Sequence, residues 1–474
     1  MKDKRFQIAF YSVMTILIAV LTYFIFANAE WLIGDDAIEV EHTGWGHPFR
    51  LGDMVSPAIG RFYPLAYFAY NIVWLFGGRS PLAHFSVMAV FFVLMVGAIF
   101  FIVEKAVEQK GSIIWRYIAV FAIAAICIQR AYSAFLYVFS TAWFAYALIV
   151  FFAVCCYLVH TKQSISAAII GFLIATFTCY CGEECFVIFL SYGVIGLIFQ
   201  WRTSSKLEKG FLWSLIATTL IFLILYYFIC FIHIESAYDG AHGSDVTLLG
   251  NAFNMFIAQK VLWLGVVVLL WRMYCVFIKK ESYEFWDTMI VAGFGFVCGC
   301  FILKLNWVLY YNMATIFMMP ALGHYVYKYL DERIASIILI ILAAFMCRTI
   351  PKYIIRNQKE RKGSTIMWQT FKEHYQEGRE LYWFAPENNN HDEWDWVLRD
   401  WLYHSTQTLA GWYVGEEDLC IEEITSFQHK PGIYFIPKQN DTLFPSENIN
   451  DSVLNHCVPI MVEKTREIKM AEIQ

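Results

Sequence analysis

The sequence predicts a polytopic membrane bundle of α-helices, about eleven spans, with a small C-terminal α/β domain outside the membrane. Three observations point there. The 474 residues are 59% hydrophobic and 18% aromatic, and the mean hydropathy is +0.51. Charged residues make up only 16% of the chain, against about 25% in an ordinary soluble domain. The apolar residues gather into runs near the ~20 residues that a bilayer core demands. A net charge of -5 and a pI of about 6.2 give no sign of a nucleic-acid partner.

The elements follow in order. The chain opens MKDKR and continues with an apolar run near 8–27. This run is too long for the apolar part of a cleaved signal, and no small-residue cleavage site follows, so it reads as a retained first span. Further runs lie near 82–103, 113–128, 142–159, 165–181, 185–200, 211–232, 256–278, 287–303, 307–327 and 334–350. Lys and Arg concentrate in cytoplasmic loops of such proteins. With the N-terminus inside, the cytoplasmic segments carry Lys2, Lys4, Arg5, Lys105, Lys110, Lys162, Arg202, Lys206, Lys209, Arg272, Lys279, Lys280, Lys328 and Arg333. The opposite loops hold only Arg50, Arg61, Arg79, Arg130 and Lys304.

An odd number of spans then leaves the C-terminus outside. Residues 1–350 form the membrane domain, with 28–81 as the first outer loop, and 351–474 form the extracytoplasmic domain. In that domain strands are expected near 381–385 and 432–437, and a helix near 391–404. No internal repeat of transporter type is present, and no pair of Gly/Pro-broken spans recurs in two halves. Most of the 13 cysteines sit in apolar runs as small hydrophobes, and the cluster Cys179, Cys181, Cys185 reads as packing. Cys420 and Cys457 fall in the oxidising compartment, where pairing is open to them.

The first outer loop is long for a plain connector. It begins WLIGDDAIEV at 31–40 and carries Glu30, Asp35, Asp36, Glu39, Glu41 and Asp53. Gly34 with Asp35 or Asp36 suits the cap of a short helix, which would set Asp35 and Glu39 on one face at i,i+4 spacing. The bland alternative is a turn with ordinary loop charges. The next segment, FYPLAYFAYNIVWLFG at 62–77, suits an interfacial helix with Pro64 in its first turn and Gly77 as its stop.

The acidic pair after span one (GDD, 34–36), the long outer loop and GRFYPL at 60–65 together resemble the GT-C superfamily of integral-membrane glycosyltransferases. These include the protein O-mannosyltransferases, the aminoarabinose transferases of lipid A and related bacterial polysaccharide-decorating enzymes. The layout covers the whole chain; the motifs cover about 35 residues. The resemblance implies transfer of a sugar from a polyprenyl-phosphate donor to a glycan, lipid or protein acceptor on the outer side. It also implies inversion at the anomeric carbon, with a first-loop acid as base. Asp35 or Asp36 fills that role, and Asp35 is favoured because the family usually places its acid earliest after the span. Some relatives bind a divalent cation near this acid; no metal ligands are assigned here, and no other cofactor is implied. Several relatives have thirteen spans, more than are read here. No WWD signature is present, which speaks against transfer to asparagine.

Other candidates map to the same side. TCYCGEECF at 178–186 brings Glu183 and Glu184 to the outer ends of two spans, where charge is costly and often functional. These two acids, with Glu39 and Tyr311, are candidates for binding the acceptor or supporting the base; a water-exposed hairpin is the competing reading of the Glu pair. Arg61, Arg130 and Lys304 are candidates for the donor phosphate, since cations are scarce on this side, against snorkelling to headgroups. Tyr310 and Asn312 flank Tyr311 as possible sugar contacts. The loop 233–250 holds His233, Glu235, Asp239, His242 and Asp245 without a metal-ligand spacing. Trp394, Trp396, Trp401 and Trp412 suit sugar stacking or a core. The competing function is a non-catalytic transporter or flippase of lipid-linked saccharides; a surface-polysaccharide polymerase or ligase is a variant of the first reading. The donor and topology fit a bacterial inner membrane, with an ER membrane as alternative.

Overall fold

The structure, a computed structural model, describes residues 2–33, 36–37, 40, 55–66, 68–77, 80–137, 142–234, 250, 253, 255–257, 259–302, 308–384, 393–424, 430–439, 442–443, 460–463 and 466–473. Each apolar run of the sequence contains a helix among the described residues, and the run expected from 256 starts its helix at Val261. The helices are α1 (Lys2–Phe26), α3 (Pro81–Ala106), α4 (Ile113–Leu136), α5 (Ala142–Lys162), α6 (Ile165–Cys181), α7 (Phe186–Gln200) and α8 (Lys206–Ile229). The series continues with α9 (Val261–Met273), α10 (Phe285–Ile302), α11 (Val308–Tyr329) and α12 (Glu332–Cys347), and a shorter helix in the first loop is α2 (Phe68–Gly77). Among the described residues, eight helical stretches are long and apolar enough to cross a membrane, and α6 and α7 are shorter apolar helices. The chain is an integral-membrane helical bundle.

The reason for helices is the solvent. Lipid offers no hydrogen bond, so each crossing segment must satisfy its own backbone. α11 is the buried centre and packs on α3, α4, α5, α9, α10 and α12. Its Met313, Ala314, Phe317, Met318, Ala321 and Leu322 are almost wholly out of contact with solvent. Pro320 lies inside α11 without ending it. Gly323 permits a close crossing, because a Cβ there would lie 2.2 Å from Ile123 Cδ1 of α4. Small residues at such crossings let membrane helices approach.

Alternation sorts the helix ends into two sets. At one end Lys110 Nζ donates to the carbonyl of Tyr327 at 2.5 Å, Ser112 N to Glu332 Oε1 at 2.9 Å, and His160 meets Glu208 at 2.7 Å. This is the basic end. The other end carries the exits of α1 and α4, the α6–α7 turn and the first loop; it is called the loop end here.

Two expectations need correction. The run read as 113–128 continues to Leu136, so Arg130 lies inside α4 and not in a loop. Ala131, Tyr132, Ala134 and Phe135 are buried after it, and a backbone inside the bundle stays helical until it leaves. Pro64 lies in a turn and α2 starts at Phe68. The main chain there is tied elsewhere, since Leu65 N donates to the carbonyl of Tyr180 at 2.9 Å. Gly77 is the last residue of α2, as expected.

Beyond α12 the polar segment begins with a long helix that composition did not announce, α13 (Ile350–His374). Then come β3 (Leu381–Phe384), α14 (Glu393–Val414), β4 (Glu422–Ile424), β5 (Gly432–Gln439), β6 (Thr442–Leu443), β7 (Ile460–Glu463) and β8 (Arg466–Ile473). The sheet runs β4-β3-β5-β8-β7, with β6 on β5. β3 is parallel to β4 and β5, whereas β8 is antiparallel to β5 and β7. Strand alternation is absent from β3, all four of whose residues are buried, as a central strand covered on both faces requires. The first loop adds a two-residue hairpin of β1 (Val55–Ser56) and β2 (Arg61–Phe62), turned by Gly60 at φ 73.

Candidate active site at the loop end of the bundle

The first-loop acid stretch leaves α1 and turns back onto the bundle. Trp31, Leu32 and Ile33 are buried. Asp36, Ala37 and Val40 are helical. Asp36 is 4% exposed, and its Oδ2 accepts the main-chain N–H of Leu32 at 2.8 Å. A carboxylate at the start of a helix that takes an upstream N–H fixes the entry of the chain and complements the helix dipole.

What holds this stretch is α13. Arg361 is fully buried; its Nη1 donates to the carbonyls of Ile25 at 2.7 Å and Ala27 at 3.0 Å, and its Nη2 to Leu136 at 2.7 Å. The guanidinium lies 3.9 Å from the Phe85 ring centroid and within electrostatic reach of Asp36. It therefore caps the carbonyl ends of α1 and α4 together, work that each helix cannot do for itself. Asn357 Nδ2 adds a bond to the carbonyl of Leu136 at 2.7 Å, and Ser364 Oγ one to Trp31 at 2.5 Å. Glu30 accepts from the Tyr413 hydroxyl and from Thr365 Oγ1 at 3.2 Å. Burial, and then the Glu30 and Asp36 carboxylates, push the Tyr413 hydroxyl well above the usual phenol range, so it stays a donor.

Arg61 stands on β2, half-buried, 5.7 Å over the Tyr63 ring. Its position is set by the main chain around it. Cys230 Sγ donates to the Arg61 carbonyl at 3.2 Å, the Tyr226 hydroxyl to Gly60 at 3.1 Å, and Cys181 Sγ to Leu65 at 3.3 Å. The GRFYPL segment is thus pinned to the ends of α6 and α8.

Arg130 and Glu184 belong to a second cluster. Tyr146 of α5 is fully buried, shares a hydrogen bond with Asn312, and feels the charges of both Glu184 and Arg130. Gln259 Nε2 donates to Asn312 Oδ1 at 2.9 Å. Tyr311, buried next to Asn312, and Glu184 both act on Cys300 or are acted on by it. Glu184 folds back over Gly182, whose added Cβ would lie 3.2 Å from Glu184 Oε1. Arg130 is half-buried. Tyr353, Tyr146 and Cys347 are the groups that act on it, none of them an acid, and its buried Nε meets no hydrogen-bond partner among the described residues.

So the structure groups Arg130, Glu184 and Tyr311 around Tyr146 and Asn312, and groups Asp36 with Arg361 and Tyr413. Asp35, Glu39 and Lys304 lie outside the described residues, as do Glu235, Asp239, His242, Asp245 and Cys457; of Glu183 the main chain is described, in the turn Glu183–Cys185. Among the described residues no three His, Cys, Asp or Glu side chains form a group that could hold a metal ion. Sequence reasoning missed Arg361, Tyr413, Tyr146 and Gln259. The signal for Arg361 was present: Asn357, Arg361, Ser364, Trp368 and Phe371 recur at the three- and four-residue spacing of a buried helix face.

A helical membrane bundle with an acid-bearing loop and buried or half-buried cations at one end is the class that fold and site define. No family model and no curated protein matches the chain. Among solved structures it is similar to ArnT from Cupriavidus metallidurans in the apo state, at 9% identity and a TM-score of 0.49, covering 97% of each chain. The same protein bound to undecaprenyl phosphate gives 11% identity and a TM-score of 0.46, over 97% of this chain and 98% of that one. An oligosaccharyltransferase from Archaeoglobus fulgidus in the apo form gives 13% identity and a TM-score of 0.45, over 89% of this chain and 66% of that one.

Proposed function

We propose that this chain is a membrane glycosyltransferase that moves a sugar from a polyprenyl-phosphate donor to an acceptor at the loop end, on the outer side of a bacterial inner membrane. The observation that carries the reading is Arg130: a half-buried cation within the bundle whose buried Nε lacks a partner among the described residues. It lies beneath the end that holds the first-loop acid. A lipid phosphate arriving through the bilayer would supply the missing anion, and charge-assisted bonds to phosphate are the strong kind. Arg61 and Lys304 complete the phosphate set in this reading.

Asp35 serves as the base. A base must reach the acceptor hydroxyl, whereas Asp36 is 4% exposed and its Oδ2 is already engaged by Leu32. Asp36 holds the stretch in place instead. In the reaction the acceptor oxygen attacks the anomeric carbon from the face opposite the phosphate. The bond from that carbon to the phosphate oxygen breaks, and its electron pair leaves with the phosphate. The acceptor proton passes to Asp35. Glu184, Glu183, Glu39 and Tyr311 contact the acceptor or support the base.

The test uses membranes containing the full chain and radiolabelled polyprenyl-phosphate sugars. Asp35→Asn is expected to abolish transfer at normal insertion, and Asp36→Asn to weaken it. Transfer at the parent's rate by both variants would remove the first-loop acid from the mechanism and the reading with it.

A further inference from the structure

The C-terminal segment meets the first loop at an acid that the reaction above does not use. Glu30 follows the end of α1 and is half-buried. Its Oε1 accepts the main-chain N–H of Trp31 at 3.0 Å and the Tyr413 hydroxyl of α14. Its Oε2 accepts Thr365 Oγ1 of α13 at 3.2 Å. One carboxylate thus joins the exit of α1 to both long helices of the C-terminal segment.

Tyr413 is held by its ring as well as by its hydroxyl. The ring stacks on the buried Trp368 of α13 at 5.0 Å and 9°. Thr365 and Trp368 are three residues apart, so they share one face of α13. The ring contact fixes where the hydroxyl stands, and the hydroxyl fixes Glu30.

The stretch that follows Glu30 carries the acids. Ser364 Oγ donates to the carbonyl of Trp31 at 2.5 Å, and Asp36 Oδ2 accepts the N–H of Leu32 at 2.8 Å. The N–H groups of Trp31 and Leu32 are therefore taken by Glu30 on one side and Asp36 on the other. Asp36 also acts electrostatically on the Tyr413 hydroxyl, so that hydroxyl is within reach of both carboxylates.

A phenol suits this place chemically. A Lys or Arg would also hold Glu30, but its charge would favour the ionised form of nearby carboxylates and make them weaker proton acceptors. The Tyr413 hydroxyl keeps its proton and tethers the loop without adding charge. Position matters here, since a ~1 Å misplacement of reacting groups can cost ~10²-fold in rate.

We propose that Tyr413 is a positioning residue for transfer: its bond to Glu30 sets where the first-loop base stands, so α14 of the C-terminal segment is part of the active site. The proposal rests on the transferase reading with Asp35 as base. The test uses membranes containing the full chain and radiolabelled polyprenyl-phosphate sugars, with donor concentration varied. Tyr413→Phe keeps the ring on Trp368 and removes only the hydroxyl. Its kcat is expected to fall about tenfold, with the donor KM and the melting point close to the parent's. Glu30→Leu should match it, and Glu30→Gln, which keeps an acceptor oxygen, should fall between Glu30→Leu and the parent. Tyr413→Phe with Glu30→Leu should be no slower than either change alone, because both break one contact. Parent-like kcat in Tyr413→Phe, a loss that merely follows early unfolding, or losses that multiply in the double variant would each overturn the proposal. Asp35→Asn separates the two ideas. Its transfer at the parent's rate would overturn the base and this proposal with it, whereas an inactive Asp35→Asn beside a parent-like Tyr413→Phe would overturn this proposal alone.

Discussion

The Arg361 guanidinium donates to the carbonyl of Leu136 at 2.7 Å, so a residue of the polar C-terminal segment closes the end of a membrane helix. The same group closes α1 through Ile25 and Ala27. Arg361→Ala would leave three buried carbonyls and the Asp36 carboxylate without it. A loss of about 3–5 kcal/mol is expected, as for other broken buried charge contacts. Thermal unfolding in detergent measures it, with Arg361→Lys falling between parent and Ala. A melting point equal to the parent's would mean that α13 is merely laid against the bundle.

The crossing of α4 and α11 makes a second stability prediction. Gly323→Ala puts a methyl 2.2 Å from Ile123 Cδ1 and 2.7 Å from Ile123 Cγ1. Overpacking of this kind costs about 1–3 kcal/mol. The clash is with one side chain, so Ile123→Ala in the same protein should recover most of the loss. The double-mutant cycle tests that: additive penalties would show that the crossing relaxes in some other way.

The two arginines also show what was legible in the sequence. A bilayer imposes length and apolarity, so each span could be read from its own residues. Gly77 likewise ended its helix where expected. Arg130 was misplaced because a Gln-Arg pair interrupts hydropathy as a loop does, although Ala131 to Leu136 continue the helix. Arg361 was missed because QKERKGST reads like a solvated surface. The spacing of Asn357, Arg361, Ser364, Trp368 and Phe371 marks the buried face, but the carbonyls of Ile25 and Leu136 that the guanidinium meets lie far away in sequence. The pairing of Asp36 with Leu32 is local, yet an acid that caps and an acid that reacts look alike until exposure is known.

At the basic end stability should depend on pH through Glu284. Burial raises its proton affinity, but hydrogen bonds from His324 and Lys328 outweigh this and hold the carboxyl down at about 2. His324 Nε2 stands 3.4 Å away. The folded value is depressed, so the stabilisation is complete above the unfolded value, ~4.3, and is lost as pH falls toward about 2. The contribution is on the order of 1–3 kcal/mol. Melting points between pH 6 and pH 3 should fall less steeply for Glu284→Gln than for the parent. Parallel curves would show that the carboxyl is not held by this contact.

Arg130 separates function from folding most sharply. A residue kept for structure is missed when it is removed; a half-buried cation whose Nε has no partner among the described residues is not. Replacing a buried charge by a hydrophobic side chain of similar volume is often neutral or stabilising. Arg130→Met should therefore melt no lower than the parent. If the guanidinium meets the donor phosphate, transfer should fall by about 10²–10³, the usual cost of one lost electrostatic contact to developing charge. Arg130→Lys keeps a charge without the planar fork and should recover only part of the rate. Melting and transfer measured on the same preparations decide the matter. A variant that unfolds early would make Arg130 a structural residue of α4, and a stable variant with undiminished transfer would take the donor phosphate away from it.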